Sequence, residues 1–110
     1  ACADASRGIW AGGSTGSKTD EMGFIAIFTG GTAEIFGDLS EAVSGCTGVS
    51  NGTTGIFAGG NNGVSRVTTN DYVTIQTENN ASDLGDLVTA RDMLGACSDE
   101  SRAVFAGGEG

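Results

Sequence analysis

The chain has 110 residues, fourteen of them acidic, five basic and none histidine, for a formal net charge of −9. That balance argues against nucleic acid or an anionic membrane as partner, because a phosphate-binding surface needs clustered Lys and Arg. The lack of His removes Ser-His and Cys-His nucleophile pairs and His-based metal centres. A hydrophobic share of 38% can furnish a core, and twenty glycines with no proline point to a turn-rich all-β fold. No apolar run approaches the roughly 20 residues of a membrane span, so membrane insertion is not expected. The opening Ala1-Cys2-Ala3-Asp4 carries neither an initiator Met nor a basic-then-apolar leader, and reads as the start of a processed product or an excerpt.

Taken along the chain, the sequence repeats itself. Ile9-Trp10-Ala11-Gly12-Gly13 returns 47 residues later at Ile56 to Gly60, and after a further 48 as Val104-Phe105-Ala106-Gly107-Gly108. Phe24-Ile25-Ala26-Ile27 returns as Tyr72-Val73-Thr74-Ile75, and Phe36-Gly37-Asp38-Leu39 as Leu84-Gly85-Asp86-Leu87. Self-similarity at one period means stacked or radially arranged supersecondary units. The division is residues 1–47, residues 48–95 and an opening third copy at residues 96–110.

Within a copy, two short apolar runs flank a polar turn. Met93 to Cys97 and Arg102 to Ala106 form such a hairpin around Ser98-Asp99-Glu100-Ser101, and Asn51-Gly52 supplies the equivalent turn in the second copy. Asp71 to Thr77, rich in β-branched and aromatic residues, predicts a third strand with two distinct faces. Asn79-Asn80-Ala81 then turns into a fourth strand over Asp83 to Val88. Leu87 to Leu94 also fits a short helix. The paired glycines Gly12 and Gly13, Gly59 and Gly60, and Gly107 and Gly108 close the second strand of each copy, where a side chain would clash. No Gly-Lys-Ser/Thr follows them, so a structural role outranks phosphate binding.

Cys2 and Cys97 share a repeat position with Val49, and Cys46 aligns with Leu94, which predicts buried free thiols and no disulfide frame. Trp10 aligns with Phe57 and Phe105 and is expected in the core, with sugar stacking as the competing role. Asp38 with Asp86, or Glu34 with Asp83, could form a glycosidase carboxylate pair. The Gly-Asp-Leu repetition is better explained as a strand-end turn. Asp83, Asp86, Asn61 and Asn62 offer hard oxygens for calcium at a spacing that matches no known loop, and read as turn residues. No cofactor is expected. The most variable stretch follows each double glycine. Its polar residues Ser14, Thr15, Ser17 and Lys18 in one copy, and Asn61, Asn62, Ser65 and Arg66 in the next, are the candidate recognition loops.

The strand ending in Gly-Gly, the Tyr72-centred strand and the segment Thr89-Ala90-Arg91 resemble the kelch-type β-propeller blade, a four-stranded antiparallel sheet. The blade's usual tryptophan is missing, with Leu84 or Leu87 as stand-in, and Val43 replaces Arg91 in the first copy. The resemblance implies all-β kelch-like blades, two complete and a third begun. The wording of the second copy, above all Asn80 to Arg91, is also similar to repeats of bacteriophage tail and fibre proteins, marine phages especially. That implies a non-enzymatic virion structural protein acting in assembly or host-surface attachment, with other virion proteins, copies of itself or a host-surface glycan as partners. A lectin-type propeller acting as an extracellular adhesin is the alternative, and a remnant of a hydrolase a third. Because a blade's faces are buried only by its neighbours, the chain is expected either to continue beyond these residues or to combine with further copies.

Overall fold

A computed structural model describes every residue except Thr15, Phe28, Gly30 and Gly110. Ten strands follow one another: β1 (Cys2–Ala3), β2 (Arg7–Ala11), β3 (Thr19–Ala26), β4 (Glu34–Val43), β5 (Thr47–Ser50), β6 (Thr54–Ala58), β7 (Thr69–Thr74), β8 (Ser82–Asp86), β9 (Gly95–Ser98) and β10 (Ala103–Ala106). They form a four-stranded sheet in the order β1-β2-β3-β4, a second in the order β5-β6-β7-β8, and a two-stranded β9-β10 hairpin. Every pairing is antiparallel. The fold is all-β, and no helix occurs among the described residues. The short helix expected over residues 87–94 is therefore corrected to an irregular connection. Its backbone is committed elsewhere: Leu87 and Arg91 donate N–H bonds to Thr68 and Val67, and Met93 to Gly45.

The alternation of each strand decides which sheet it buries against. Ile9, Met22, Phe24, Phe36, Leu39 and Val43 of the first sheet form one cluster with Phe57, Val73 and Ile75 of the second. Phe24 and Phe36 meet edge to face with ring centroids 5.9 Å apart, a geometry that adds to area burial. The seam has a polar clasp too. The buried Asp71 carboxylate accepts the backbone N–H of Ser40 at 2.8 Å and its hydroxyl at 2.8 and 2.9 Å.

Both Gly-Asp-Leu segments lie at register slips. Pairing jumps from Gly37 to Ile35 as β3 passes from Met22 to Gly23, and from Gly85 to Asp83 as β7 passes from Asn70 to Asp71. Phe36 and Leu84 are thus the extra residues of β-bulges, which bend and twist the outer strand. The expected strand-end turn is corrected in the first copy, where Gly37 lies inside β4. The glycine is needed there because a side chain would run into the Asn79 carbonyl of the second sheet.

Trp10 also departs from expectation. It is 41% exposed, whereas Phe57 is 3% exposed. Phe57 has the first sheet in front of it, and no sheet among the described residues faces Trp10. Trp10 instead lies across Gly23, its partner in β3. The thiols are all free, as expected, but not uniformly buried: Cys2 and Cys46 are half-buried and Cys97 is exposed. Cys97 belongs to a hairpin that only one sheet covers.

The clasp yields a direct test. Asp71→Ala removes a charged acceptor from Ser40 and is expected to destabilise the protein by about 1–2 kcal/mol in denaturant unfolding, with Asp71→Asn losing less. A change within experimental error for Asp71→Ala would show that apolar contact alone joins the sheets.

Candidate functional site

The double glycines organise the surface on which the candidate loops sit. The Gly12 N–H donates to Glu21 O at 3.0 Å, the Gly13 N–H to Val43 O at 2.7 Å, and the Thr19 N–H to Gly13 O at 3.1 Å. The second sheet has the same three bonds, from Gly59 to Thr69, Gly60 to Arg91 and Val67 to Gly60, at 3.0, 2.8 and 2.9 Å. Gly12 and Gly59 adopt φ of 71° and 70°, which favours glycine. A Cβ on either would stand 2.6 or 2.5 Å from the Val43 or Arg91 carbonyl oxygen. The side chain of Arg91 donates to Gly107 O at 2.8 Å, tying the second sheet to the third double glycine. Gly108 packs against the Asp92 carbonyl.

Beyond each double glycine the chain makes a small loop closed by a bridge, Ser14 to Lys18 in one and Asn61 to Arg66 in the other. Thr15 lies outside the described residues. Ser14, Ser17 and Ser65 are exposed, and Lys18, Asn61, Asn62 and Arg66 are half-buried. The two loops come together: the Lys18 Cγ stands 3.8 Å from the position a Cβ on Gly63 would take. The second loop is tied down by its own side chains. Asn61 accepts from the Gly63 N–H, and Asn62 accepts from the N–H groups of Val64 and Ser65 while donating to Glu41 at 2.8 Å. Arg66 donates to Asp92 at 2.9 Å and to Glu109 at 2.8 Å. Asn62 and Arg66 thus tie the second loop to neighbouring strands, while Ser14, Ser17 and Ser65 face outward.

The carboxylates proposed for other chemistry lie on two strands, β4 and β8. Asp38 and Glu34 are exposed on β4, and Asp83 and Asp86 on β8. Asp83 accepts from the Gly85 N–H at 3.2 Å, a local turn contact.

Two features were missed by sequence reasoning. One is an open cleft of about 730 Å³ between the second sheet and the β9-β10 hairpin, lined by Ile56, Leu84, Leu87, Leu94 and Phe105 among others. The buried side-chain oxygen of Asn70 at its wall has no hydrogen-bond partner among the described residues. The other is the aspartate that closes each of the two end turns. Asp4 Oδ1 accepts the N–H groups of Ser6 and Arg7, and Asp99 Oδ1 accepts those of Ser101 and Arg102. The signal was legible as Asp-x-Ser-Arg, at Asp4 to Arg7 and again at Asp99 to Arg102. In the middle copy Asn51 does the same work for Thr53 and Thr54.

These bonds shift the carboxyls. The N–H groups of Ser101 and Arg102 hold Asp99 below the ordinary carboxylate range. At Asp4 partial loss of hydration pushes upward, but the Gln76 amide and the Ser6 and Arg7 N–H groups outweigh it, and the net direction is down. Burial pushes the Cys2 thiol up to about 11 and raises Cys46. No protein-family model matches the chain, and comparison with curated proteins finds no match.

Because Asp4 and Asp99 have folded-state values below the unfolded one, their turns gain stability above the unfolded value of about 3.9 and lose it as pH falls through the depressed values. Followed by NMR, the Ser101 and Arg102 amide shifts should titrate with a midpoint below about 3.9. A midpoint at or above that value would mean the turn does not bind its carboxylate.

Proposed function

We propose that this chain is a segment of kelch-like β-propeller that serves as a non-enzymatic structural protein of a phage tail or fibre, acting in assembly or host-surface attachment. The observation that carries this reading is the way one unit is fastened to the next. Ser44 and Asn61 exchange backbone hydrogen bonds of 3.0 and 2.8 Å, and 48 residues on Asp92 and Glu109 exchange bonds of 3.0 and 3.0 Å. A fastening that recurs at the period of the sequence suits blades laid side by side. Hydroxyls support the same reading near the first strands, where Ser50 donates to the Ala3 carbonyl and Ser98 to that of Ser50. An array of this kind suits a structural or presenting role.

A lectin-type adhesin is the second reading, favoured by Trp10. The residue is 41% exposed, beside Gly8 and Ile25 on an open face, and exposed aromatic rings stack on sugars. Antibody labelling of purified phage particles by electron microscopy tests the first reading, with the label expected on tails or fibres. Particles free of label would contradict it. Calorimetric binding of host-surface glycans that is lost in Trp10→Ala would favour the second.

A further inference from the structure

We propose that the chain modifies itself at Asn51: attack by the Gly52 backbone nitrogen converts the side-chain amide to a carboxylate, while the same dipeptide at Asn62-Gly63 is held inert. The two Asn-Gly turns are a matched pair. The Asn51 N–H donates to Thr54 O at 3.2 Å, and the Asn62 N–H to Ser65 O at 3.1 Å. Asn51 Oδ1 accepts the N–H groups of Thr53 and Thr54 at 3.0 and 2.9 Å. Asn62 Oδ1 accepts those of Val64 and Ser65 at 3.0 and 3.0 Å. Gly52 and Gly63 adopt φ of 93° and 98°. A difference in reactivity between the two therefore comes from what surrounds each turn.

In the reaction the Gly52 nitrogen gives its proton to solvent base and bonds to Asn51 Cγ. The Cγ–Nδ2 bond breaks, Nδ2 departs as ammonia, and a five-membered succinimide remains. Water then opens the ring, at one carbonyl to aspartate and at the other to isoaspartate. Negative charge develops on Oδ1 during the attack, where the Thr53 and Thr54 N–H groups already point. Asn51 is exposed, and the Gly52 N–H makes no hydrogen bond among the described residues. Apart from its chain neighbours, no atom stands within 4 Å of where a Cβ on Gly52 would be. Two bonds oppose the same step at the second turn. The Gly63 N–H donates to Asn61 Oδ1 at 2.7 Å, which withholds the nucleophile. Asn62 Nδ2 donates to the Glu41 carboxylate at 2.8 Å, a bond that departure of the amide would break.

The other copies indicate which product each site can accept. One period to either side of Asn51 the same turn is closed by Asp4 and Asp99, whose Oδ1 atoms accept the matching N–H groups. An aspartate at position 51 keeps that turn, with a charge-assisted acceptor in place of a neutral one. Isoaspartate adds a carbon to the main chain and does not fit it. Either product loses the amide donor to Glu100 O at 3.3 Å, the tie from the second turn to the third. Conversion thus releases one contact between units, and the aspartate form does so without opening its own turn. A carboxylate at position 62 would instead face Glu41, placing two like charges at the seam. The step needs only the turn and water, so it is independent of what the assembly attaches to.

The test is peptide mapping by tandem mass spectrometry of the 110-residue chain aged in mildly alkaline buffer, folded and in denaturant side by side. The denatured chain supplies the intrinsic rate of each site. Relative to it, folding should slow Asn62 about tenfold or more beyond any effect on Asn51, the size expected of one charge-assisted hydrogen bond. Asn61→Ala keeps the backbone pairing with Ser44 and removes the acceptor from the Gly63 N–H, and it should raise the rate at Asn62. Folded chain in which Asn51 stays an amide while the denatured chain converts would overturn the proposal. So would equal slowing of the two sites by folding, or an Asn61→Ala variant whose Asn62 converts no faster than the parent's.

Discussion

Everything in this molecule depends on one constraint: a four-stranded sheet with two apolar faces is stable only when something lies on them. The first sheet meets it with a single buried cluster. Phe24, Phe36 and Leu39 look onto Phe57, Val73 and Ile75, and together these residues make most of the core. The polar contacts along the seam, from Asp71 to Ser40 and from Asn62 to Glu41, then fix the angle and register at which the sheets meet. Apolar burial is non-directional, so the hydrogen bonds supply the specificity that it lacks.

The same constraint explains the apparent anomalies. Trp10, Ile35 and Ile27 on one end, and Leu84, Val88 and Val104 on the other, are large apolar side chains left in solvent. Their equivalents Phe57, Ile75 and Phe36, at the face the two sheets share, are buried, and Ile56 is half-buried. Exposure therefore follows the position of a unit in the array more than the chemistry of the residue. The glycines belong to this logic. At Gly12 and Gly59 the backbone turns with positive φ directly against a carbonyl of its own unit, which lets the next connection cross the sheet end without a gap.

Much of the strand layout was legible in the sequence because alternation and the Gly-Gly punctuation repeat at 47 and 48 residues. The three hairpins, the Tyr72 strand and the all-β character follow from local pattern. What local pattern does not carry is the identity of neighbours. Trp10 aligns with Phe57, yet alignment says nothing about whether a sheet stands in front. Asp71 stands where the first copy has Gly23, so the clasp to Ser40 has no repeat signal to reveal it. Gly37-Asp38-Leu39 looked like a turn because glycine and aspartate are turn residues, and a bulge within a strand uses the same chemistry. The loops at Ser14 to Lys18 and Asn61 to Arg66 were legible as polar and variable. That Arg66 would be held by Asp92 and Glu109 was not, because those partners lie 26 and 43 residues away.

The central claim is that the two complete sheets form one cooperative unit through their shared face, with the β9-β10 hairpin attached to it more loosely. Native-state amide hydrogen exchange measures this directly. The account predicts that β2, β3, β6 and β7 open together at the highest free energy and that β9 and β10 exchange earlier. Opening of the first sheet at a free energy well separated from the second, or protection of β10 equal to that of β6, would contradict it.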